Sequence, residues 1–337
     1  MPDLQLLVYG VITTALFFDF VNGFHDSANS IATVVGTRVL KPIQAVAMAA
    51  VANFIGPFIF GTAVATTVGK GIIQPEFSTV YVILAALIGA IIWDLITWYF
   101  GLPSSSSHAL IGGLIGSGLI AGGIKAIVVI GVQKTLAFMV ISPMVGFAIA
   151  FAFAVAIMYF LRQARPSKVN KGFGKFQIAS SAFFSLTHGA NDGQKTMGVI
   201  TALLIAGGIL QSKSFIIPVP VILAAASAIA LGTFFGGWRI VKTMAFRLTS
   251  LRPYQGFCAE TGGGVVLTSM ALFGIPVSTT HAISGAIMGV GATKRFSAVR
   301  WGIGRRIIYA WIITIPASAA IAALSLVVIK AITNMGS

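Results

Sequence analysis

Long apolar runs recur along the whole of this 337-residue chain. Hydrophobic residues make up 57% of it and charged residues only 9%, against roughly 25% charged residues in ordinary soluble domains. Runs of about 18 or more apolar residues are long enough to cross a bilayer as helices, so the pattern predicts an all-α polytopic membrane protein with about 10–12 membrane segments. About ten runs can be delimited, near 4–21, 43–66, 79–100, 104–122, 126–161, 174–187, 196–210, 215–236, 256–292 and 303–331.

Charge and cysteine content exclude several classes of protein. The first apolar run has no basic residue ahead of it, so we interpret it as a retained membrane helix and not a cleaved signal peptide. Cys258 is the only cysteine, which excludes an intrachain disulfide. The net charge is +15. The basic residues lie in short gaps between apolar runs, which favours loops beside anionic lipid over a nucleic-acid partner. We therefore expect a multi-pass protein of the cell inner (plasma) membrane.

The clearest hydrophilic break is 162–175, which contains five cations and no acid. It predicts a basic cytoplasmic linker between an N-terminal repeat, 1–161, and a C-terminal repeat, 176–337. Cations at 162–175, 239–252 and 294–306 outnumber those at 38–41 and 70, which favours the cytoplasmic side for the first group.

Two polar motifs occur once in each half, in the same order. The first pairs Asn22-Gly-Phe-His-Asp26-Ser-Ala-Asn29-Ser30 with His188-Gly-Ala-Asn-Asp192-Gly-Gln-Lys195-Thr196. The second pairs Gly101-Leu-Pro103-Ser-Ser-Ser-Ser107-His108-Ala109 with Gly274-Ile-Pro276-Val-Ser-Thr-Thr280-His281-Ala282, and a weaker third pairs Pro42-Ile-Gln44 with Pro253-Tyr-Gln255. Such repeats with polar, Gly/Pro-broken segments are typical of secondary transporters whose site lies between the halves. We expect two inverted repeats with broken helices and re-entrant hairpins.

Ionisable residues are scarce and concentrated in these motifs. All four histidines lie in them, and Asp26, Asp192 and Glu260 lie within or beside apolar runs. An ionised side chain in a bilayer costs at least about 2.5–3.5 kcal/mol on insertion scales, so these acids are candidate functional residues. Asp19 and Asp94 have no counterpart in the other half, and an interhelical hydrogen bond is the favoured interpretation for both.

The residue types in the motifs fit a small oxyanion and a coupling cation. Asp26 and Asn29 are spaced to share one helix face, and Gly23 is expected to let the chain turn and break the helix there. The Pro-led Ser/Thr clusters predict the N-termini of half-helices, whose hydroxyl and NH groups form an anion site. The alternative for each hydroxyl is a bond to its own helix.

These motifs resemble the PiT inorganic phosphate transporters over essentially the full chain, and most closely the bacterial low-affinity Pit branch. The resemblance implies inorganic phosphate held between the two halves, no enzymatic activity, no cofactor and no resident metal. The expected phosphate-binding residues are Asp26, Asn29, Ser30, Ser105, Ser106, Ser107, Asn191, Asp192, Lys195, Thr196, Ser278, Thr279 and Thr280.

Two departures from the sodium-coupled relatives bear on the coupling ion. Lys195 stands where they carry a second asparagine, and its ammonium could replace a sodium ion beside Asp192. Asn53 is interpreted as the counterpart of Glu260, where those relatives tend to have acids in both halves. We therefore expect proton symport, with sodium coupling and a metal–phosphate cargo left open. The coupling residues would be Asp26, Asp192, Glu260, Asn53, His25 and His188.

Alternatives remain for several of these assignments. Lys195 could instead snorkel to the membrane interface, and His108 and His281 could merely orient helices. An intramembrane hydrolase is disfavoured because adjacent Ser and His do not create a charge relay, and a passive channel because channels usually form from rings of subunits. A permease for sulfate, arsenate or another oxyanion would keep the same fold. The sequence leaves the oligomeric state open, a homodimer included.

Overall fold

The computed structural model describes residues 2–210 and 215–333, which are almost entirely helical. Within these ranges the only β pairing is an isolated bridge between Ile73 and Ile127, so the all-α prediction is confirmed. The α-helices of the described residues are α1 Pro2–Gly36, α2 Pro42–Phe60, α3 Ala63–Gly71, α4 Val80–Tyr99, α5 Ser106–Gly122, α6 Val129–Phe160, α7 Pro166–Ala206, α8 Val219–Phe235, α9 Trp238–Lys242, α10 Pro253–Leu272, α11 Thr279–Ala292 and α12 Trp301–Thr333.

Six of the described helices are long and apolar enough to cross a membrane, namely α1, α2, α4, α5, α6 and α12. A seventh span is possible if α8 is joined to α9 and its π-helical continuation Thr243–Leu248, which together bend by 56°. α7 is longer, at 41 residues, and it contains the predicted segment 174–187 and most of the predicted segment 196–210. The described residues contain twelve α-helices, but α3 and α9 have only 9 and 5 residues, and the six or seven apolar spans are fewer than the expected 10–12 segments.

The aspartate motifs do not break their helices, contrary to the prediction. α1 continues through Asp26 and α7 through Asp192. Gly23 instead allows close packing, because a Cβ built on it would lie 3.0 Å from Ile229 Cα of α8. Gly189 does the same for α7 against α2. The two glycines therefore bring helix backbones together beside each aspartate.

The breaks occur at two helical hairpins, α4–α5 and α10–α11. Gly101 and Gly274 begin the two turns with positive φ values of 64° and 62°, a conformation that glycine adopts without strain. Ser105 and Ser278 then cap α5 and α11, because each side chain accepts a hydrogen bond from the backbone NH three residues later. The predicted half-helix starts are confirmed.

The two halves run in opposite directions. Val8 lies against Gly207 at one end of the α1–α7 contact, and Thr37 Oγ1 donates to Gln177 Oε1 over 2.9 Å at the other. α1 packs on α8 as α7 packs on α2, and α5 packs on α12 as α11 packs on α6. These exchanged contacts relate α1–α6 to α7–α12, and antiparallel α1 and α7 make the repeats inverted.

The third motif match is not part of this repeat. Pro42 begins α2 and Pro253 begins α10, whereas the packing makes α8 the counterpart of α2 and α4 the counterpart of α10. Asn53 on α2 is therefore not the counterpart of Glu260 on α10. That interpretation was wrong because the short Pro-x-Gln match reflects a similar helix start, not a shared position in the fold.

Most of the basic residues lie at one end of the bundle, which we call the basic end. The α1–α2 connection belongs to this end, because Val39 and Leu40 pack on the same apolar cluster as Leu251 and Trp301. The cations at 38–41 therefore add to the group at 162–175 instead of opposing it. The predicted linker is helical from Pro166 onward, so the connection between α6 and α7 is short.

Candidate functional site

A polar layer separates the interior into two apolar clusters. On α1 the residues before the motif, such as Phe18, belong to one cluster, and those after it, such as Ile31, belong to the other. On α7, Phe184 and Met197 are divided in the same way. The motif residues between them are polar and buried. Both aspartate motifs thus lie at the same level, where the two hairpin turns arrive.

Asp26 receives donors from its own helix and from both hairpins. Its Oδ1 lies 2.6 Å from His25 Nδ1. Its Oδ2 accepts hydrogen bonds from Ser106 over 3.1 Å, from Thr280 over 3.2 Å and from Thr279 over 3.4 Å. Asp26 therefore contacts its own helix and both hairpins.

Asp192 is paired with a buried ammonium. Lys195 Nζ donates to Asp192 Oδ1, to Ser107 Oγ and to the Val277 carbonyl, the last over 2.9 Å. Only 2% of Lys195 is exposed, so it does not snorkel to the interface. Its three partners come from α7, α5 and the α10–α11 turn, and the ammonium therefore ties both hairpins to α7.

The α10–α11 turn also connects the two aspartates. Thr279 Oγ1 lies 3.0 Å from Asp192 Oδ2 and 3.4 Å from Asp26 Oδ2, although its single proton serves one of them at a time. Asn29 Nδ2 donates to Thr280 Oγ1 over 2.9 Å. Carboxylates, hydroxyls, an amide and an ammonium thus converge on one point between the repeats.

Each aspartate is backed by a histidine that reaches another helix. His25 Nε2 lies 3.1 Å from Thr97 Oγ1 on α4. In the other half, His188 Nδ1 lies 3.1 Å from Asn53 Oδ1 on α2. Because an amide oxygen can only accept, we assign the proton to Nδ1 of that ring, which leaves Nε2 directed at Asp192 over 3.3 Å. His188 Nε2 can therefore take up a proton beside the carboxylate.

Glu260 belongs to a separate polar cluster nearer the basic end. Its carboxylate accepts hydrogen bonds from Thr33 over 2.5 Å, from Gln177 Nε2 over 3.2 Å and from Ser180. Thr33 is two helical turns beyond Asp26 on α1, so the cluster lies about 10 Å along the helix from the aspartate layer.

Several predicted site residues have other contacts. Ser105 and Ser278 hydroxyls cap their own helices. Asn191 Nδ2 donates to backbone carbonyls of Thr187 and Leu267. Ser30 Oγ and Thr196 Oγ1 are buried and have no hydrogen-bond partner among the described residues.

Sequence reasoning missed several polar contacts around the site. Ser104 Oγ lies 3.3 Å from His25 Nε2. Ser106 Oγ lies 2.5 Å from Asn22 Oδ1 as well as 3.1 Å from Asp26 Oδ2, and its single proton serves one of them at a time. Ser104 and Asn22 both lie inside the repeated motifs, so the sequence repeat could have identified them. Thr233, which accepts from Asn53 Nδ2 over 2.8 Å, had no such signal because it reaches the site only through helix packing.

Two inverted halves that enclose a buried polar site define a membrane transporter of the repeat-swapped type. The chain matches a family model described as "Phosphate transporter family" over residues 22–322, and it therefore belongs to that family.

Named relatives and a solved structure agree with this assignment. The chain is 54% identical over 318 residues to a "probable low-affinity inorganic phosphate transporter" of Rhizobium meliloti (strain 1021), covering 94% of this chain and 95% of that protein. A Bacillus subtilis (strain 168) protein of the same description is 42% identical over 335 residues, covering 98% and 100%. A solved structure titled "The sodium-dependent phosphate transporter" aligns with a TM-score of 0.88 and 26% identity, over 97% of this chain and all of that one.

The family resemblance inferred from the motifs is thus confirmed. The chain is a multi-pass membrane transporter of the PiT phosphate transporter family, its substrate is phosphate, and it is not an enzyme.

Proposed function

We propose that this transporter imports inorganic phosphate by proton symport across the inner (plasma) membrane. The substrate would bind where Asp26, Asp192 and the two hairpin turns meet, displacing the hydroxyls that now bond the carboxylates. The basic end would face the cytoplasm, as the concentration of Lys and Arg there favours.

The charges of the side chains in the proposed site support the co-transport of a cation with phosphate. Asp26 and Asp192 carry two negative charges, and Lys195 offsets one of them. A phosphate anion would add at least one more negative charge in a site with almost no solvent exposure, which is costly without compensation. Ionised carboxylates also accept but do not donate, so phosphate must present OH groups to them. Protons satisfy both requirements.

The observation that carries the choice of proton over sodium is the position of Lys195. Its ammonium is bonded to a carboxylate, a hydroxyl and a backbone carbonyl from three separate elements. This is the kind of oxygen set that holds a hard cation. A tethered positive charge there makes a bound sodium ion unnecessary. The corresponding position of the first half, Asn29, carries no charge.

Proton carriers are proposed among the acids and histidines already placed. Asp26 with His25, and Asp192 with His188, would exchange protons with phosphate, since histidine titrates near physiological pH. Asn53 would hold the His188 tautomer, and Glu260 would carry the proton toward the basic end.

The hairpins suggest how access alternates. The α4–α5 hairpin approaches the aspartate layer from the end opposite the basic end, and α10–α11 approaches from the basic end. Movement of one hairpin away from Asp26 and Asp192 would open the site to that side alone. Lys195 would hold the α4–α5 hairpin closed through Ser107, and Lys195 and Thr279 would hold α10–α11 closed through Val277 and Asp192. Phosphate bonding to both turns would favour the closed state between the two openings.

A metal–phosphate complex is a further possible cargo. Ligand atoms of Asp26, His188 and Asp192 all lie within 4.8 Å of one another, a spacing that suits a divalent cation arriving with phosphate. Sodium coupling is the competing proposal, because the similar solved structure is titled sodium-dependent. We also propose that the protein forms a homodimer and contacts the surrounding lipid.

The test is uptake of radiolabelled phosphate into proteoliposomes with a pH gradient and a sodium gradient imposed separately. Uptake driven by an inward proton gradient and indifferent to sodium supports the proposal. Uptake that requires sodium would contradict it, and a requirement for a divalent cation under the pH gradient would identify the complex as cargo.

A further inference from the structure

Two buried acids differ from all the others in the membrane region. Asp19 on α1 and Asp94 on α4 are both fully buried. Among the described residues no donor lies in hydrogen-bonding geometry with their carboxyl oxygens, although the side chains of Thr196 and Asn22 lie beside Asp19. Asp26, Asp192 and Glu260 each accept several hydrogen bonds. Among the described residues the interhelical hydrogen bond favoured from the sequence is therefore absent for Asp94, whereas Thr196 of α7 lies beside Asp19.

An ionised carboxylate in such surroundings is strongly unfavourable. Burial of an unpaired charge costs several kcal/mol, and a carboxyl group without donors takes up a proton instead. Both groups would therefore hold a proton while the site is closed. They would ionise when an opening hairpin admits water, because water supplies the missing donors.

Each acid lies near one of the two aspartates of the proposed phosphate site, Asp19 near Asp192 and Asp94 near Asp26. Asp19 precedes Asp26 by two helical turns, about 10 Å, on the side away from the basic end. Asp94 is one turn before Thr97, whose hydroxyl contacts His25. The α4–α5 hairpin, which would open this side, includes Asp94 itself.

Few other charges face these groups. Asp192 and Lys195 of α7 face Asp19, and α8, which packs on the same helix, has no titratable residue. His25, Asp26 and Asp192 face Asp94. The stretch 310–326 of α12, which packs on α4, has no titratable residue, and α5 contributes only His108 at its start.

We infer that Asp19 and Asp94 are proton carriers, which load protons from the side opposite the basic end and hold them while the site is closed. This rests on the proposed proton coupling. In each cycle the carboxylate gains a proton from water on one side. The carboxyl O–H bond breaks later, and the proton passes to water or to the adjoining aspartate–histidine pair as phosphate leaves.

The experiment compares Asp19→Asn and Asp94→Asn with the wild type in proteoliposomes. Asparagine has the shape of the neutral carboxyl group and cannot release a proton. We expect loss of phosphate accumulation under a pH gradient, with phosphate–phosphate exchange at zero gradient retained. Glu76→Gln, an exposed acid before α4, is the matched control and should keep both activities.

The outcomes separate the two proposals. A wild type without proton-driven uptake refutes proton coupling itself, whatever the variants do. A proton-driven wild type with unchanged accumulation in both variants overturns the carrier assignment alone, as does loss of exchange in a variant that still elutes as a folded protein. If an asparagine variant does not fold, Asp19→Glu and Asp94→Glu retain an ionisable group and must retain coupled uptake; its loss in folded protein also overturns the assignment.

Discussion

Replacing Lys195 with asparagine gives the sharpest prediction. The substitution leaves Asp192 beside Ser107 and the Val277 carbonyl without the ammonium that now bonds all three. Removing one partner of a buried ion pair costs about 3–5 kcal/mol. At about 1.4 kcal/mol per factor of ten, this corresponds to a loss of roughly 10²-fold to several thousand-fold in the population of the competent site.

Sodium should restore part of that loss. The vacated position keeps a carboxylate, a hydroxyl and a carbonyl oxygen and gains the amide oxygen of asparagine, all of which can bind a hard cation. We therefore expect Lys195→Asn to show little phosphate uptake in potassium medium and substantial uptake in sodium medium. Lys134→Asn removes a lysine that is exposed on α6 and should behave as the wild type.

The assay is initial phosphate uptake in proteoliposomes at a fixed pH gradient, with sodium titrated against potassium. Sodium-independent uptake by Lys195→Asn at the wild-type rate would refute the idea that the ammonium substitutes for a cation. Loss of uptake that sodium does not rescue, in a variant with normal thermal stability, would show that the ammonium binds phosphate directly instead.

Three other substitutions test the remaining parts of the reasoning. Gly23→Ala should destabilise the protein in thermal unfolding, because its Cβ meets the Ile229 backbone, whereas Gly10→Ala has open space around it and should not. Asp26→Asn should erode discrimination between phosphate and sulfate in competition uptake, because sulfate has no OH group to donate to the carboxylate; unchanged selectivity would contradict this role. Glu260→Gln should preserve binding of phosphate but slow proton-driven uptake, and an unaltered rate would remove Glu260 from the proton path.

The hairpins could be predicted from the sequence and the continuity of α1 could not. The Gly-x-Pro pattern with the Ser and Thr residues that follow it acts locally, since the turn, the helix start and the cap at Ser105 or Ser278 depend on neighbouring residues only. A break was predicted at the motif around Asp26 because Gly23 was expected to let the chain turn there. In a bilayer the backbone must still satisfy its own hydrogen bonds, which favours an uninterrupted helix. The polar side chains then face other helices.

Pairings across helices were the least predictable part of the site. Glu260 was identified as functional from its position in an apolar run, but Thr33, Gln177 and Ser180 come from two other helices. Their meeting depends on the packing of α1, α7 and α10, which no local spacing encodes. The incorrect match of Asn53 to Glu260 has the same origin, because a short sequence match was read without the direction of the helices.

The proposed ion coupling would depend on the residues that are not duplicated in the two halves. An exactly symmetric inverted repeat would have outward-open and inward-open states of equal free energy, because exchanging the halves converts one state into the other. Lys195 opposite Asn29 breaks this equivalence within the phosphate site. Glu260 breaks it near the basic end, because Leu87 occupies the corresponding position of the first hairpin and lies in an apolar cluster. A ligand shifts the equilibrium between two states only if it binds them with different affinity. We expect Lys195 and Glu260, which have no charged counterpart in the first half, to produce that difference in affinity for the coupling ion.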